Sequence, residues 1–120
     1  ARNYPFDKEQ SDLDIELPDG CTDAAYLLRL TEGLDTAFDL ARPDLVIYLA
    51  GADPYQDDRL GRLALSFDGL AERDRVVFAR CQALRLPVAV AMAGGYARQI
   101  TDTVRIHHTT IRLAKALADG

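Results

Sequence analysis

The sequence is short of lysine, histidine and cysteine, and each shortage excludes something. Lys8 and Lys115 are its only lysines, and 14 basic against 19 acidic residues leave a formal net charge of −5. A phosphate backbone wants clustered Lys and Arg, so nucleic acid is excluded as the main partner. Cys21 and Cys81 lie far apart with no CxxC spacing. Free thiols in a reducing cytoplasm are the expectation, and a disulfide has no support. No apolar run reaches the length of a membrane span, and the N-terminus has no signal-peptide pattern. No repeat, linker or low-complexity segment interrupts the 120 residues, which make one domain's worth at most.

What is present reads as a globular α/β chain. Its 48% hydrophobic content is ordinary for a packed fold and too high for disorder. Residues 1–20 are irregular and acidic, with room for one short strand at Asp14–Leu17 before the Pro18-Asp19-Gly20 turn signal. Thr22 or Asp23 can cap a helix whose apolar face is Leu27, Leu30, Leu34, Phe38 and Ala41 and which Pro43 stops. Leu45–Ala50 is continuously apolar, as expected for a parallel strand buried on both faces. A loop runs from Gly51 to about Phe67, and Ser66 or Asp68 can cap the next helix. Leu70, Val77, Cys81 and Leu84 give that helix an inner stripe, with Glu72, Arg73, Arg75, Arg80 and Gln82 pointing outward. Val88–Ala93 is a second apolar strand, ended by Gly94-Gly95-Tyr96. A last helix spans roughly Arg98 to Ala118, with Ile100, Val104, His107, Ile111 and Ala114 on one face.

Alternating helices and strands imply a parallel sheet covered by helices. Ligands of such sheets bind beyond the carboxyl ends of the strands. The two unusual segments, "GADPYQDD" and "GGY", fall at those ends and are expected to be neighbours. Asp53 comes just past Gly51, where a carboxylate can face a crevice and meet a metal. Tyr96 follows two glycines that permit a sharp turn and a close ligand, and its hydroxyl can donate to a developing oxyanion. Singly, each has an ordinary reading as a loop residue; together, at adjacent strand ends, they point to a site. Asp57 and Arg62 read as solvated loop charges, whereas Leu60 and Gly61 inside a polar loop suggest the wall of a pocket. A catalytic zinc needs three protein ligands. His107 and His108, both in the last helix, do not complete a set with Asp53.

"AGADPYQDDRLGRLALSFDGLAERD" followed by "PVAVAMAGGY" resembles the zinc-dependent deacetylases, the histone deacetylase and acetoin-utilization group of the arginase–deacetylase fold. "DRLG", in place of the commoner Asp-Pro-Leu-Gly, looks closer to bacterial and class IV members, as does "NYPFDKEQSDLDIELPDG". The resemblance covers essentially the whole chain. It implies a three-layer α/β/α fold with a parallel sheet, of which residues 1–120 are the C-terminal portion. It implies that Asp53 binds zinc (ferrous iron is the other metal to consider), that Tyr96 stabilises the oxyanion, that Leu60 lines the acyl-lysine tunnel, and that Gly94 and Gly95 shape the pocket floor. The family often has a third glycine where this chain has Ala93. Its remaining ligands, an Asp and a His of an Asp-x-His segment, and its tandem histidine pair come earlier in the domain. "HH" at His107 and His108 matches that pair only superficially. "ARNYPFDKEQ" has no initiator Met and reads like the middle of something, in keeping with such an earlier part.

The implied substrates are an acetylated protein or a small acetylated amine. The implied partner is the remainder of the catalytic domain, without which these residues are expected to be inactive and prone to self-association. Two other classes fit an Asp at a strand end: a phospho-accepting receiver-like module, and a non-catalytic module that kept the fold. A receiver needs an acidic pair after its first strand and a lysine after a late one, and neither lysine is near Tyr96. One zinc per intact chain separates the deacetylase from both.

Overall fold

A computed structural model describes residues 5–120; residues 1–4 of the expected irregular opening lie outside that range. Among the described residues three helices and two strands alternate: α1 (Asp23–Ala41), β1 (Val46–Ala50), α2 (Phe67–Ala83), β2 (Val88–Met92) and α3 (Ile100–Asp119). β1 and β2 pair in parallel, from Val46 opposite Val88 to Ala50 opposite Met92. The fold is thus α/β with a parallel sheet, as the alternation requires. The expected strand at Asp14–Leu17 does not form, because no neighbouring strand offers it a ladder. The segment is irregular instead, its Ile15 side chain set against Gly33 of α1.

Local chemistry sets the helix ends. Ser66 caps α2 by accepting from the Gly69 N–H at 3.0 Å. Asp23 of α1 in turn accepts from the Ser66 N–H at 2.9 Å and hydroxyl at 2.5 Å, so one carboxylate joins the starts of two helices. That contact requires glycine at 69, where a Cβ would sit 1.9 Å from Asp23 Oδ1. α1 ends as Arg42 turns left-handed (φ 44°) and returns its N–H to the Phe38 carbonyl.

The core lies beneath the strand ends. Ala52, Tyr55 and Leu65 of the long loop pack with Leu70, Ala97 and Ile106. Tyr55 stacks on Phe67 at 4.8 Å and donates to Asp102 of α3 at 3.1 Å. The segment read as a loop is therefore part of the core.

Three expectations need correction. Arg73 does not point outward: it is 3% exposed, beside Asp74 at 1%. Both fall on the inner stripe between Leu70 and Val77, whereas Leu84, expected on that stripe, is exposed. β1 is not buried on both faces. α2 lies against the Tyr48 side, where Tyr48 meets Phe78, while Ile47 and Leu49 on the other side are each 67% exposed. Two strands with helices on one face leave the other bare among the described residues. Last, α3 turns Ile106 and Thr110 inward and leaves Ile100, Val104 and Ile111 exposed.

The buried ion pair joins four parts of the chain. Arg73 Nε donates to Asp74 Oδ1 at 3.0 Å, and Nη1 donates to the Gly51 carbonyl at 2.5 Å. Nη2 also lies 3.0 Å from Asp74 Oδ1 but is not aimed at it, so that contact is ionic rather than a hydrogen bond. Tyr48 of β1 and Thr110 of α3 each donate to Asp74 at 2.5 Å. Burial pushes the Tyr48 hydroxyl far above its ordinary range, against the pull of Arg73. Burial acts to lower the Arg73 pKa, but Tyr48, Asp74 and Tyr26 outweigh it and hold it above the usual value.

Removing one partner of such a pair strands a buried charge. Asp74→Ala is expected to cost on the order of 3–5 kcal/mol in denaturant unfolding, and Arg73→Met with Asp74→Leu to recover most of it. Equal stability of Asp74→Ala and the parent would contradict the network. The bare sheet face should make the isolated 120 residues self-associate, with sedimentation coefficients that rise with concentration. Ile47→Lys with Leu49→Lys should restore a monomer. A concentration-independent monomer of the parent chain would refute this.

Candidate functional site

The site is built where β1 and β2 end. Past Ala50 the chain turns at Gly51, whose carbonyl is held by Arg73. Ala52 N–H donates to the Gly94 carbonyl at 2.6 Å, so the two strand ends touch through their backbones. Asp53, half-buried, stands between glycines. A Cβ at Gly51 would be 2.5 Å from its Oδ1, and one at Gly94 would be 3.2 Å away. No hydrogen bond or ion pair from a described residue engages this carboxylate. A carboxylate cradled by glycines and left open on its remaining side fits a metal ligand. The described residues contain no cluster of three His, Cys, Asp or Glu, so Asp53 contributes one ligand and not a site.

Tyr96 lies on the adjoining loop, and the expected neighbourhood of the two segments is observed. Its N–H donates to Asp58 Oδ2 at 2.6 Å, and its carbonyl accepts from Arg59 N–H at 3.0 Å. Arg98 N–H donates to the Asp57 carbonyl at 3.1 Å. The Tyr96 side chain is 52% exposed. Leu60 is exposed on the same loop surface, and Gly61 folds back so closely that a Cβ there would meet the Asp53 carbonyl at 2.0 Å. Gly95 is packed just as tightly: a Cβ would lie 2.8 Å from Thr103 Cγ2 and 3.0 Å from Ala52 Cβ. Asp53, Leu60, Gly94, Gly95 and Tyr96 thus occupy two joined loops that form an open shelf. An open cleft of about 510 Å³, lined in part by Asp14, Ile15, Arg62 and Leu63, lies elsewhere.

His107 sits under the Gly95 turn, its Nε2 3.7 Å from where a Gly95 Cβ would be, and its buried Nδ1 has no hydrogen-bond partner among the described residues. Burial lowers its pKa, with Arg73 acting in the same direction and Asp74 against it. Asp57 and Arg62 are surface charges, as read, paired with Arg98 and Asp19 at 3.2 Å each. Asp58 is not: it is 8% exposed, and its Oδ1 accepts from the N–H groups of Leu60 at 2.9 Å and Gly61 at 2.8 Å. Sequence reasoning missed it. The signal was available, since an Asp three residues before a Gly is the pattern of a side chain that caps its own turn.

A protonated His107 is disfavoured in the fold, so its folded pKa lies below the unfolded value of about 6.5. Its contribution to stability is complete above that value and declines as the pH falls through it. The unfolding midpoint should drop on acidification below about pH 6.5, and the drop should shrink in His107→Gln. An identical pH dependence in the two proteins would contradict the placement.

The model of the histone deacetylase domain matches residues 4–112. An uncharacterized protein of Picosynechococcus sp. is 43% identical over 113 residues, covering 94% of this chain and 38% of its own. Histone deacetylase 2 of Arabidopsis thaliana is 38% identical over 108 residues, covering 84% of this chain and 28% of its own. An acetylpolyamine amidohydrolase of Burkholderia pseudomallei is 30% identical over 84 residues, 70% of this chain and 23% of its own. The crystal structure of a histone deacetylase homologue complexed with SAHA superposes with a TM-score of 0.73 at 20% identity, over 98% of this chain and 32% of that one. The chain thus spans 38% or less of the length of these relatives.

Proposed function

The chain belongs to the histone deacetylase family and has the arginase–deacetylase fold, and from that premise we propose that it forms the C-terminal portion of a metal-dependent amidohydrolase domain. The reaction is hydrolysis of an acetylated amine. The oxygen of water joins the acetyl carbon, the C–N bond breaks, and acetate and a protonated amine leave. Acetylated lysine in a protein and a small acetylated amine are the two substrate classes, in line with the names of the Arabidopsis and Burkholderia relatives. Membership in this family displaces the receiver-like alternative.

The observation that carries the reading is the joining of the strand ends. β1 delivers Asp53, a carboxylate unengaged among the described residues, and β2 delivers Tyr96, with Ala52 and Gly94 bonded between them. Asp53 would hold zinc or ferrous iron as one of several ligands, the others coming from earlier in the domain. When bound, the metal polarises the acetyl carbonyl and acidifies water. Tyr96 donates its hydroxyl hydrogen bond to the carbonyl oxygen as negative charge builds there. Gly94 and Gly95 let the acyl group approach the backbone, and Leu60 offers an apolar wall to its carrier. The general base is a histidine outside these residues, so the 120 residues alone should hold metal weakly and turn over nothing. The bare Ile47 and Leu49 face and the exposed stripe of α3 are where the rest of the domain packs. Both cysteines are buried free thiols, which supports a cytoplasmic location.

Metal content and turnover of the whole domain test the two roles separately. Asp53→Asn removes a charged ligand, so metal occupancy and activity should fall together. Tyr96→Phe removes a hydroxyl only. Metal should stay at full occupancy while kcat on an acetyl-lysine peptide falls on the order of 10²-fold or more, about 3 kcal/mol of barrier. Loss of metal in Tyr96→Phe, or normal turnover, would overturn its role. Full metal and activity in Asp53→Asn would overturn its role as a ligand, and a whole domain with neither metal nor turnover would be a non-catalytic module that kept the fold.

A further inference from the structure

We propose that Asp58 is the positioning residue for Tyr96, aiming the tyrosine hydroxyl by clamping its backbone to the loop that carries Asp53. The proposal rests on the role given to Tyr96 above.

Three features lead to it. The Tyr96 side chain is half exposed and makes no hydrogen bond within the described residues, so little but its backbone fixes where it points. Both of its peptide groups are held by one short stretch, through Asp58 Oδ2 at 2.6 Å on the N–H and Arg59 N–H at 3.0 Å on the carbonyl. With the Arg98 N–H donating to the Asp57 carbonyl at 3.1 Å, the Arg59–Tyr96 backbone bond also makes Asp58 and Ala97 an isolated antiparallel bridge. The other oxygen of Asp58 is used at the same time, accepting from Leu60 and Gly61 at 2.9 and 2.8 Å. Gly61 in turn lies against the Asp53 carbonyl. A single buried carboxylate therefore sets the distance between the tyrosine, the apolar wall at Leu60 and the backbone of the metal-ligand candidate.

Only a carboxylate accepts on both oxygens together. Asp58→Asn must turn its NH₂ either to the Tyr96 N–H or to the N–H pair of Leu60 and Gly61. Either way donors face donors, and one side of the clamp opens at nearly unchanged volume. Misplacing a catalytic group by about 1 Å costs on the order of 10²-fold in rate.

The experiment compares Asp58→Asn, Tyr96→Phe and the double variant in the whole domain. It reads kcat and KM, metal content, and hydrogen exchange of a peptide spanning residues 94–98. Asp58→Asn should keep full metal, speed exchange at the Tyr96 amide, and lower kcat on the order of 10²-fold with little change in KM. The double variant should be no slower than Tyr96→Phe, because a positioning residue has nothing left to position. Losses that multiply in the double variant, or unchanged exchange, would overturn the proposal. So would normal turnover in Asp58→Asn beside a slow Tyr96→Phe. Normal turnover in Tyr96→Phe would instead overturn the tyrosine's own role, and this one with it. Where Asp58→Asn does not fold, Asp58→Glu keeps the charge and shifts the Tyr96 amide by one methylene, and the same readouts decide.

Discussion

The buried Arg73–Asp74 pair is the contact on which the rest of the structure depends. Two charges inside a small protein are tolerated only when they are paired and hydrogen-bonded. Here Asp74 collects Tyr48 from β1 and Thr110 from α3, while Arg73 reaches past it to the Gly51 carbonyl. β1, α2, α3 and the first residue beyond β1 are tied to one point. The turn that launches Asp53 is held from inside the core rather than from the surface.

The shelf above inherits that rigidity. Ala52, Tyr55 and Leu65 descend into the core, so the loop between β1 and α2 is anchored by apolar packing as well as by Arg73. The glycines matter because the loops are so close. Gly51, Gly61, Gly94 and Gly95 each leave too little room for a Cβ without a neighbour moving, and Asp53 touches three of the four. What the shelf lacks is a roof. Ile47, Leu49, Ile100 and Val104 stay exposed, and among the described residues no cluster of metal-binding side chains forms around Asp53.

Much of this was legible in the sequence. Element order, the parallel pairing and the meeting of "GADPYQDD" with "GGY" followed from periodicity and from the rule that sites form at strand ends. The errors have physical causes. The charge of Arg73 suggests an outward side chain, but residues 73 and 74 fall between Leu70 and Val77 on the buried stripe, and position outweighs charge. Ile100, Val104 and Ile111 were read as a core face because an apolar stripe shows that a helix packs, not which partner is present. Asp14–Leu17 was read as a strand although a strand needs a neighbour, which no local pattern supplies. Asp58 was passed over because a loop carboxylate usually faces water, and only its three backbone partners reveal otherwise.

The central claim is that Asp53 and Tyr96 face one metal from two adjacent strand ends. Anomalous diffraction at the zinc and iron edges, from crystals of the whole domain, tests it most directly. The account predicts one metal peak about 2.0–2.2 Å from an Asp53 carboxylate oxygen, with the Tyr96 hydroxyl turned toward the same crevice. A metal bound elsewhere, with Asp53 outside its coordination sphere, would contradict it.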